Sequence, residues 1–140
     1  ETLKALRSEA PNLVGAKVSN ATWEAVAPYL DPSLGLDVFV GAEALIAKAL
    51  AHGAAGAVSG LAAVYPEIVS AHVKAPDEAG SKRVAELRRR VEAAPFHAAS
   101  KEILVGRGVP MRKDVRAPLR ALTDDESAAL QARVSDPPAG

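Results

Sequence analysis

The chain has 140 residues, of which 49% are hydrophobic and 24% charged, and its 17 basic and 17 acidic side chains give a formal net charge of zero. This length suffices for one ordinary globular domain, and the neutral charge does not favour a nucleic acid as partner. The absence of cysteine excludes a disulfide framework and thiolate zinc sites. No apolar run reaches the roughly 20 residues of a membrane-spanning helix. We therefore expect a cytoplasmic protein that binds no membrane.

Three apolar blocks in the first half of the chain predict buried strands. The blocks span residues 13–19, 36–41 and 54–60. Helices are predicted around them, over residues 1–9, from Thr22 with the threonine as cap, from residue 42 to Gly53, and from residue 65 to 74. This alternation is typical of parallel βα units, whose strands are buried on both faces. Three such strands leave open edges, so we expect partner strands from a longer chain or from another chain.

The second half of the chain, from Asp77, predicts helix after helix. One helix carries Val84, Leu87 and Val91 at helical spacing, and another begins at Thr123 with Glu126 three residues later, which is a capping box. An intervening helix over AASKEILVG would expose Lys101 and Glu102 on its surface. The segment VPMRKDVRAPL is expected to be an extended connector, and the closing SDPPAG a frayed tail. The sequence thus indicates an α/β part, residues 1–75, and a helical part, residues 76–140.

A lysine interrupts the first apolar block, which reads LVGAKVSN. An ammonium in a buried strand loses its water, so Lys17 either reaches solvent or serves chemistry. Ligands of parallel α/β folds bind at the carboxyl ends of the strands, where Lys17, Gly41 and the pair Ser59-Gly60 are expected. A lysine enclosed there can offer a free amine to a carbonyl group, as Schiff-base chemistry requires. A lysine that extends to water, or pairs with a carboxylate such as Glu43, is the alternative, and the spacing alone leaves both open.

Other polar clusters are interpreted as structural. Arg88, Arg89 and Arg90 occur beside glutamates in a helical pattern and predict a solvated helix face. His52 precedes Gly53 at a helix end, where an imidazole commonly bonds the last carbonyl groups. The three histidines share no metal-ligand spacing, so we predict no metal site and no cofactor. The phrase HGAAGAVSG lacks the glycine order of a dinucleotide-binding loop and the lysine of a phosphate-binding loop.

Several segments resemble the motifs of one enzyme family, in family order. PNLVGAKVSN resembles the sixth strand of the dihydrodipicolinate synthase and N-acetylneuraminate lyase family, whose Gly-x-Lys carries the Schiff-base lysine. DVFVGAEALI resembles the seventh strand and the turn after it, and HGAAGAVSGLAAVYPE resembles the eighth strand. KEILVGRG and RAPLRALTDDE resemble the helical region at the C-terminus, and the resemblance places Lys101 and Glu102 near a packed helical interface. The resemblance runs from Pro11 to Val134.

The resemblance implies a fold and a set of partners. Family members are class I aldolases or related lyases and dehydratases on a (β/α)8 TIM barrel with a helical C-terminal extension, usually as tetramers. Residues 1–75 would then be the C-terminal portion of such a barrel, with strands six to eight, and residues 76–140 the extension. The expected partners are a small 2-oxo acid, the N-terminal half of the barrel, and further copies in a homodimer or homotetramer.

The resemblance also assigns roles to residues of the strand ends. Lys17 would form an imine with pyruvate or another 2-oxo acid, and the enamine derived from it would add to an aldehyde or imine, or run the reverse cleavage. Gly41 would leave room for the substrate, and the backbone carbonyl of Val58 would face the imine. The positions expected to read the distal part of the substrate are Glu43, Ser59 and Gly60.

Departures from the family pattern concern the second reactant. Val18-Ser19-Asn20-Ala21 follows the lysine where the family often has an acidic residue and a Ser/Thr-rich turn, the seventh-strand turn reads GAE, and Ala63 replaces the usual asparagine. The early Gly-Thr-Thr-Gly-Glu-like phrase and the Tyr-x-x-Pro tyrosine of the fifth strand do not occur in the chain. The resemblance therefore leaves two enzymatic functions open, dihydrodipicolinate synthesis and the aldol cleavage or dehydration of a sugar acid. The non-enzymatic alternative is a half-barrel that serves as a regulatory or assembly module.

Overall fold

A computed structural model of the protein describes residues 2–134. Its contacts divide the chain into two compact units, of which the first ends at Lys82 and the second begins at Arg83. The division into a barrel portion, residues 1–75, and a helical part, residues 76–140, remains a prediction. The segment SDPPAG, expected to be a frayed tail, lies outside the described residues. None of the described helices is long and apolar enough to cross a membrane.

The first unit alternates helices with three short strands. Its elements are the helices α1 (Thr2–Glu9), α2 (Trp23–Val26), α3 (Ile46–Ala51) and α4 (Pro66–Lys74), the strands β1 (Gly15–Val18), β2 (Asp37–Val40) and β3 (Gly56–Ala57), and 3-10 helices at Ala27–Leu30, Pro32–Leu34, Glu43–Leu45 and Leu61–Ala63. The strands form one sheet in the order β1-β2-β3, and both pairs are parallel. The βα rhythm predicted from the apolar blocks is therefore present.

One face of this sheet is buried and the other is open. Val18 pairs with Val40, and both side chains are buried, as is Val38. Successive strand residues point to opposite faces, so Lys17 and its register partner Phe39 share the second face. Lys17 is exposed and Phe39 is half-buried. Burial on both faces was expected of these strands, and within residues 2–134 only the helix side is covered.

The helix predicted from Thr22 is shorter than expected. Four residues form α2, and the chain then tightens into the 3-10 helix Ala27–Leu30, because Pro28 has no N–H for an α-helical bond. The predicted cap is correct in position, since Thr22 is the N-cap residue of α2 with an extended backbone, but its side chain makes no capping hydrogen bond. The third strand is likewise reduced to two residues of the predicted block.

A buried histidine packs against the start of the next helix. Helix α5 spans Glu78–Glu92, and the Asp77 carboxylate caps it by accepting a hydrogen bond of 2.6 Å from the Gly80 amide. His72 of α4 is 5% exposed and lies so close that a Cβ on Gly80 would be 2.3 Å from its Nδ1. Only a glycine fits at position 80 while the imidazole keeps its place.

The second unit consists of helices and one connector. Beyond the remainder of α5 it contains α6 (Phe96–Gly106) and α7 (Asp124–Val134). The predicted capping box is confirmed: the Glu126 amide donates to the Thr123 hydroxyl at 3.2 Å, and the Thr123 amide donates to the Glu126 carboxylate at 2.9 Å. Val84, Leu87 and Val91 are fully buried, as their spacing predicted.

The prediction that Glu102 lies on a helix surface is wrong. Its side chain is buried, and Oε1 accepts hydrogen bonds from Lys113 Nζ at 2.8 Å, Ser127 Oγ at 3.0 Å and Gln131 Nε2 at 3.3 Å. The bond from Lys113 is the main cause that lowers the pKa of this carboxyl group. Glu102 therefore joins the connector and α7 to α6, and it lines a cavity of about 220 Å³ in this unit.

We expect Gly80→Ala to destabilise the protein by about 1–3 kcal/mol, because the new methyl group overlaps a buried ring that has no space to move. Urea denaturation measures this change. Gly106→Ala is the matched control, since it too adds a methyl group to a helix and a Cβ there meets nothing within 4 Å. The control should be neutral or more stable by up to ~1 kcal/mol. Equal effects of the two substitutions would contradict the packing argument.

We also expect His72 to make stability depend on pH. Burial lowers the pKa of His72 below 6.5, and the nearby Asp77 only partly opposes this. The unfolded chain then binds a proton more readily than the folded one, so this stability is present above pH about 6.5 and is lost as the pH falls below it. His72→Gln should flatten the melting temperature between pH about 7 and 5, whereas His97→Gln, at an exposed position, should not. Identical pH profiles for the His72 variant and the unsubstituted protein would refute this.

Candidate functional site

The carboxyl ends of the three strands bring the predicted residues to one edge of the sheet. Lys17 is the third residue of β1, Gly41 directly follows β2, and Val58 directly follows β3. The Gly41 amide donates to the Val18 carbonyl at 2.7 Å, and the Val58 amide donates to the Val40 carbonyl at 3.0 Å. The ladder thus continues one residue beyond β2 and β3, and it fixes where the two loops leave the sheet.

The Lys17 ammonium is held by a neighbouring hydroxyl group. Nζ donates to Ser19 Oγ at 2.7 Å, and both side chains are exposed within the described residues. Ser19 was not among the predicted site residues. The alternation of a strand could have found it, because residues two apart point to the same face.

Gly41 leaves space for these two side chains. A Cβ at this position would lie 2.7 Å from Ser19 Oγ, 3.2 Å from Ser19 Cα and 3.3 Å from Lys17 Cε. From the sequence we predicted that Gly41 leaves this space for a substrate. In the structure, the lysine stem and the serine occupy it.

Glu43 connects the loop after β2 to the loop after β3. Its carboxylate is buried and accepts hydrogen bonds from Ser59 Oγ at 2.6 Å and from the Leu61 amide at 3.2 Å. The Ser59 hydroxyl in turn accepts from the Ala62 amide at 3.1 Å. Glu43 and Ser59 are thus brought together, and both are engaged with groups of the chain itself.

The remaining predicted positions lie on the same loop. Val58 is about half exposed, and Gly60 is exposed and precedes the 3-10 helix Leu61–Ala63. Gly60 has a backbone φ of −66°, which any residue adopts, so its small size rather than its backbone would matter for a ligand.

The histidines take structural positions. Nδ1 of His52 contacts the Lys48 carbonyl at 2.8 Å at the end of α3, which confirms the predicted capping contact. Its ring also meets the Trp23 ring edge-on, with 4.7 Å between centroids. Within residues 2–134, no group of three or more His, Asp or Glu side chains is arranged to hold a metal ion.

The comparison with known sequences identifies the family. A sequence model of the Dihydrodipicolinate synthetase family matches residues 1–136. The chain belongs to this family. An uncharacterized DapA-like lyase from Halobacterium salinarum is 36% identical over 97% of this chain and 46% of its own length. Another, from Chloroflexus aurantiacus, is 32% identical over 91% of this chain and 44% of its own length. The chain therefore spans about half the length of these curated relatives.

Solved structures share the fold of this chain. Dihydrodipicolinate synthase from Agrobacterium tumefaciens matches 98% of this chain with 48% of its own, at a TM-score of 0.77 and 23% identity. A prophage protein of the dihydrodipicolinic acid synthase family from E. coli K12, in complex with pyruvate, matches 95% of this chain with 49% of its own, at 0.81 and 20%. A Sulfolobus 2-keto-3-deoxygluconate aldolase in complex with D-KDPG matches 94% with 47%, at 0.69 and 20%.

We expect Gly41→Ala to lower the free energy of unfolding by about 1–2 kcal/mol, because the added methyl group displaces Ser19 and the Lys17 stem. Ser19→Ala in the same background removes the closest atom, Oγ, and should recover part of the loss. A double-mutant cycle by urea denaturation measures this coupling. Strictly additive costs would show that Gly41 and Ser19 do not compete for the same space.

Proposed function

We propose that this family member is the C-terminal part of a (β/α)8 barrel, with β1, β2 and β3 as its sixth, seventh and eighth strands. The parallel order along the chain, the open face that carries Lys17, and the twofold greater length of the relatives support this. The five other strands would precede β1 in the same polypeptide and cover the open face. The complete barrel would assemble as a homodimer or homotetramer.

We further propose that the complete protein is a lyase that acts through an imine of Lys17. The observation that carries the proposal is an amine at the carboxyl edge of a parallel sheet, 2.7 Å from a hydroxyl that holds it. The unprotonated amine attacks the ketone carbon of a 2-oxo acid, water leaves, and a protonated imine forms. This imine withdraws electrons from the neighbouring carbon, which then loses a proton to give an enamine.

The reaction of the enamine determines whether a carbon–carbon bond is formed or cleaved. It adds to the carbon of an aldehyde or imine and forms a carbon–carbon bond, and water then releases the product from Lys17. The same steps in reverse cleave the bond and release pyruvate. Gly41 and the backbone of the segment Val58–Gly60, which Glu43 holds, would border the bound 2-oxo acid and the second reactant.

The substrate is proposed as pyruvate or a related 2-oxo acid. The pyruvate complex of the E. coli prophage protein supports this choice, since that protein shares the fold over 95% of this chain. The similarity to the Sulfolobus aldolase, and the replacement of an acidic residue by Ala42 in the turn after β2, favour cleavage of a 2-keto-3-deoxy sugar acid as a second candidate. Release of pyruvate from 2-keto-3-deoxygluconate would support that candidate, and its absence beside pyruvate trapping would support a synthase-like reaction.

We expect the purified protein that contains this chain to gain a reduced pyruvate adduct on Lys17 when it is incubated with pyruvate and borohydride. Intact mass and peptide mapping locate the adduct. Lys17→Arg keeps the positive charge but cannot form the imine, so it should abolish the adduct, whereas Lys74→Arg, at an exposed lysine of α4, should leave it unchanged. An unmodified Lys17 in the protein with a complete barrel would refute the lyase and favour a non-catalytic module.

A further inference from the structure

Two backbone amides at the start of a short helix need acceptors from outside it. The 3-10 helix Leu61–Ala63 follows β3, and the first N–H groups of any helix have no partner within it. The Leu61 amide is bound by Glu43, from the loop after β2, and the Ala62 amide is bound by the Ser59 hydroxyl. The cap of this helix therefore depends on a residue 18 positions earlier in the chain.

The Ser59 hydroxyl links the two halves of this cap. Ser59 Oγ donates a hydrogen bond to the Glu43 carboxylate at 2.6 Å, and the same oxygen accepts a hydrogen bond from the Ala62 amide. Hydrogen bonds to an ionised carboxylate are stronger than those between neutral groups, and Glu43 is only 5% exposed. Ser59 thus has its one donor committed to Glu43, and its position follows that of the carboxylate.

The segment between β3 and this helix is held at both of its ends. Val58 is held by its amide bond to the Val40 carbonyl, and the next residue, Ser59, is held by Glu43. Between these two attachments lies the peptide group that contains the Val58 carbonyl. The Glu43 contact therefore constrains this peptide group, whereas the pairing of β1 and β2, on which Lys17 depends, is made by other hydrogen bonds.

We infer that Glu43 is a positioning residue, whose carboxylate fixes the segment Val58–Gly60 through Ser59 and Leu61 and thereby sets the orientation of the Val58 peptide group at the strand ends that also carry Lys17. This inference rests on the proposed function. It assigns Glu43 and Ser59 an effect on the rate through the loop they hold, in place of direct contact with the distal part of the substrate.

The test follows deuterium exchange into the methyl group of pyruvate in D2O by proton NMR, which reports imine and enamine formation and needs no second reactant. Glu43→Gln keeps the shape but loses the charge, and Ser59→Ala removes the link. Each should lower the limiting exchange rate about tenfold or more, since a displacement of 1 Å costs up to about a hundredfold. The pyruvate concentration for half-maximal rate should change little, and the double variant should be no slower than the slower single variant.

Controls separate a positioning effect from loss of structure. Glu24→Gln and Ser70→Ala, at exposed positions of α2 and α4, should exchange like the unsubstituted protein. If Glu43→Gln fails to fold, the exchange rate of Ser59→Ala alone tests the inference. Two results would overturn the inference: a loss of exchange rate that matches the loss of folded protein measured by circular dichroism, or an exchange rate equal to that of the unsubstituted protein. In either case, borohydride trapping on Lys17 would still support the lyase. An unsubstituted protein that neither traps pyruvate nor exchanges its protons would overturn both.

Discussion

The parallel hydrogen-bond ladder of β1, β2 and β3 is the constraint on which the site depends. Parallel strands run in one direction, so each must be followed by a crossover that returns the chain to the starting edge. All three carboxyl ends therefore lie at one edge, although they are about twenty residues apart in the chain. The hydrogen bonds of the Gly41 and Val58 amides extend this ladder by one residue and so fix the start of each following loop. A lysine, a glycine and a small polar loop meet there because the backbone brings them together.

Much of this arrangement could be predicted because its signal is local. Strands appear as short apolar blocks whose carboxyl ends share an edge, so Lys17, Gly41 and the pair Ser59-Gly60 could be placed near that edge without coordinates, while Val58 was assigned from the family resemblance. The family motifs added the chemistry. The capping box of Thr123 and Glu126 was also predictable, since its two partners lie three residues apart and bond only each other's backbone.

The contacts that the sequence could not reveal join distant parts of the chain. Glu43 and Ser59 are 16 residues apart, and Glu102 and Ser127 are 25 apart, so no local pattern could show that these carboxylates are buried and bonded. The position of Glu102 in a helix suggested a surface glutamate by default, whereas the connector supplies a lysine whose ammonium group compensates the buried charge. Thr22 shows the opposite case, in which a residue type typical of a cap stands at the N-cap of α2 but its side chain makes no capping hydrogen bond.

The two buried carboxylates do different things with the same chemistry. Glu102 meets an ammonium group, so most of its charge is compensated where it lies, and it joins segments of the helical unit. Glu43 accepts hydrogen bonds from a hydroxyl and a backbone amide, and such bonds depend strongly on distance and angle. A carboxylate of the second kind holds a loop in one orientation.

The open face of the sheet links the chemistry to the completeness of the fold. The helix side is sealed by Val18, Val38 and Val40, while Lys17 on the other side is exposed to water. In this setting Lys17 lies beside Ser19 and Gly41, but within residues 2–134 the site lacks the enclosure that would protect an imine from hydrolysis. In the proposed barrel the five remaining strands supply that enclosure. The chain then contributes the nucleophile and its alignment, and the other half contributes the dry cavity, so neither half would catalyse the reaction efficiently without the other.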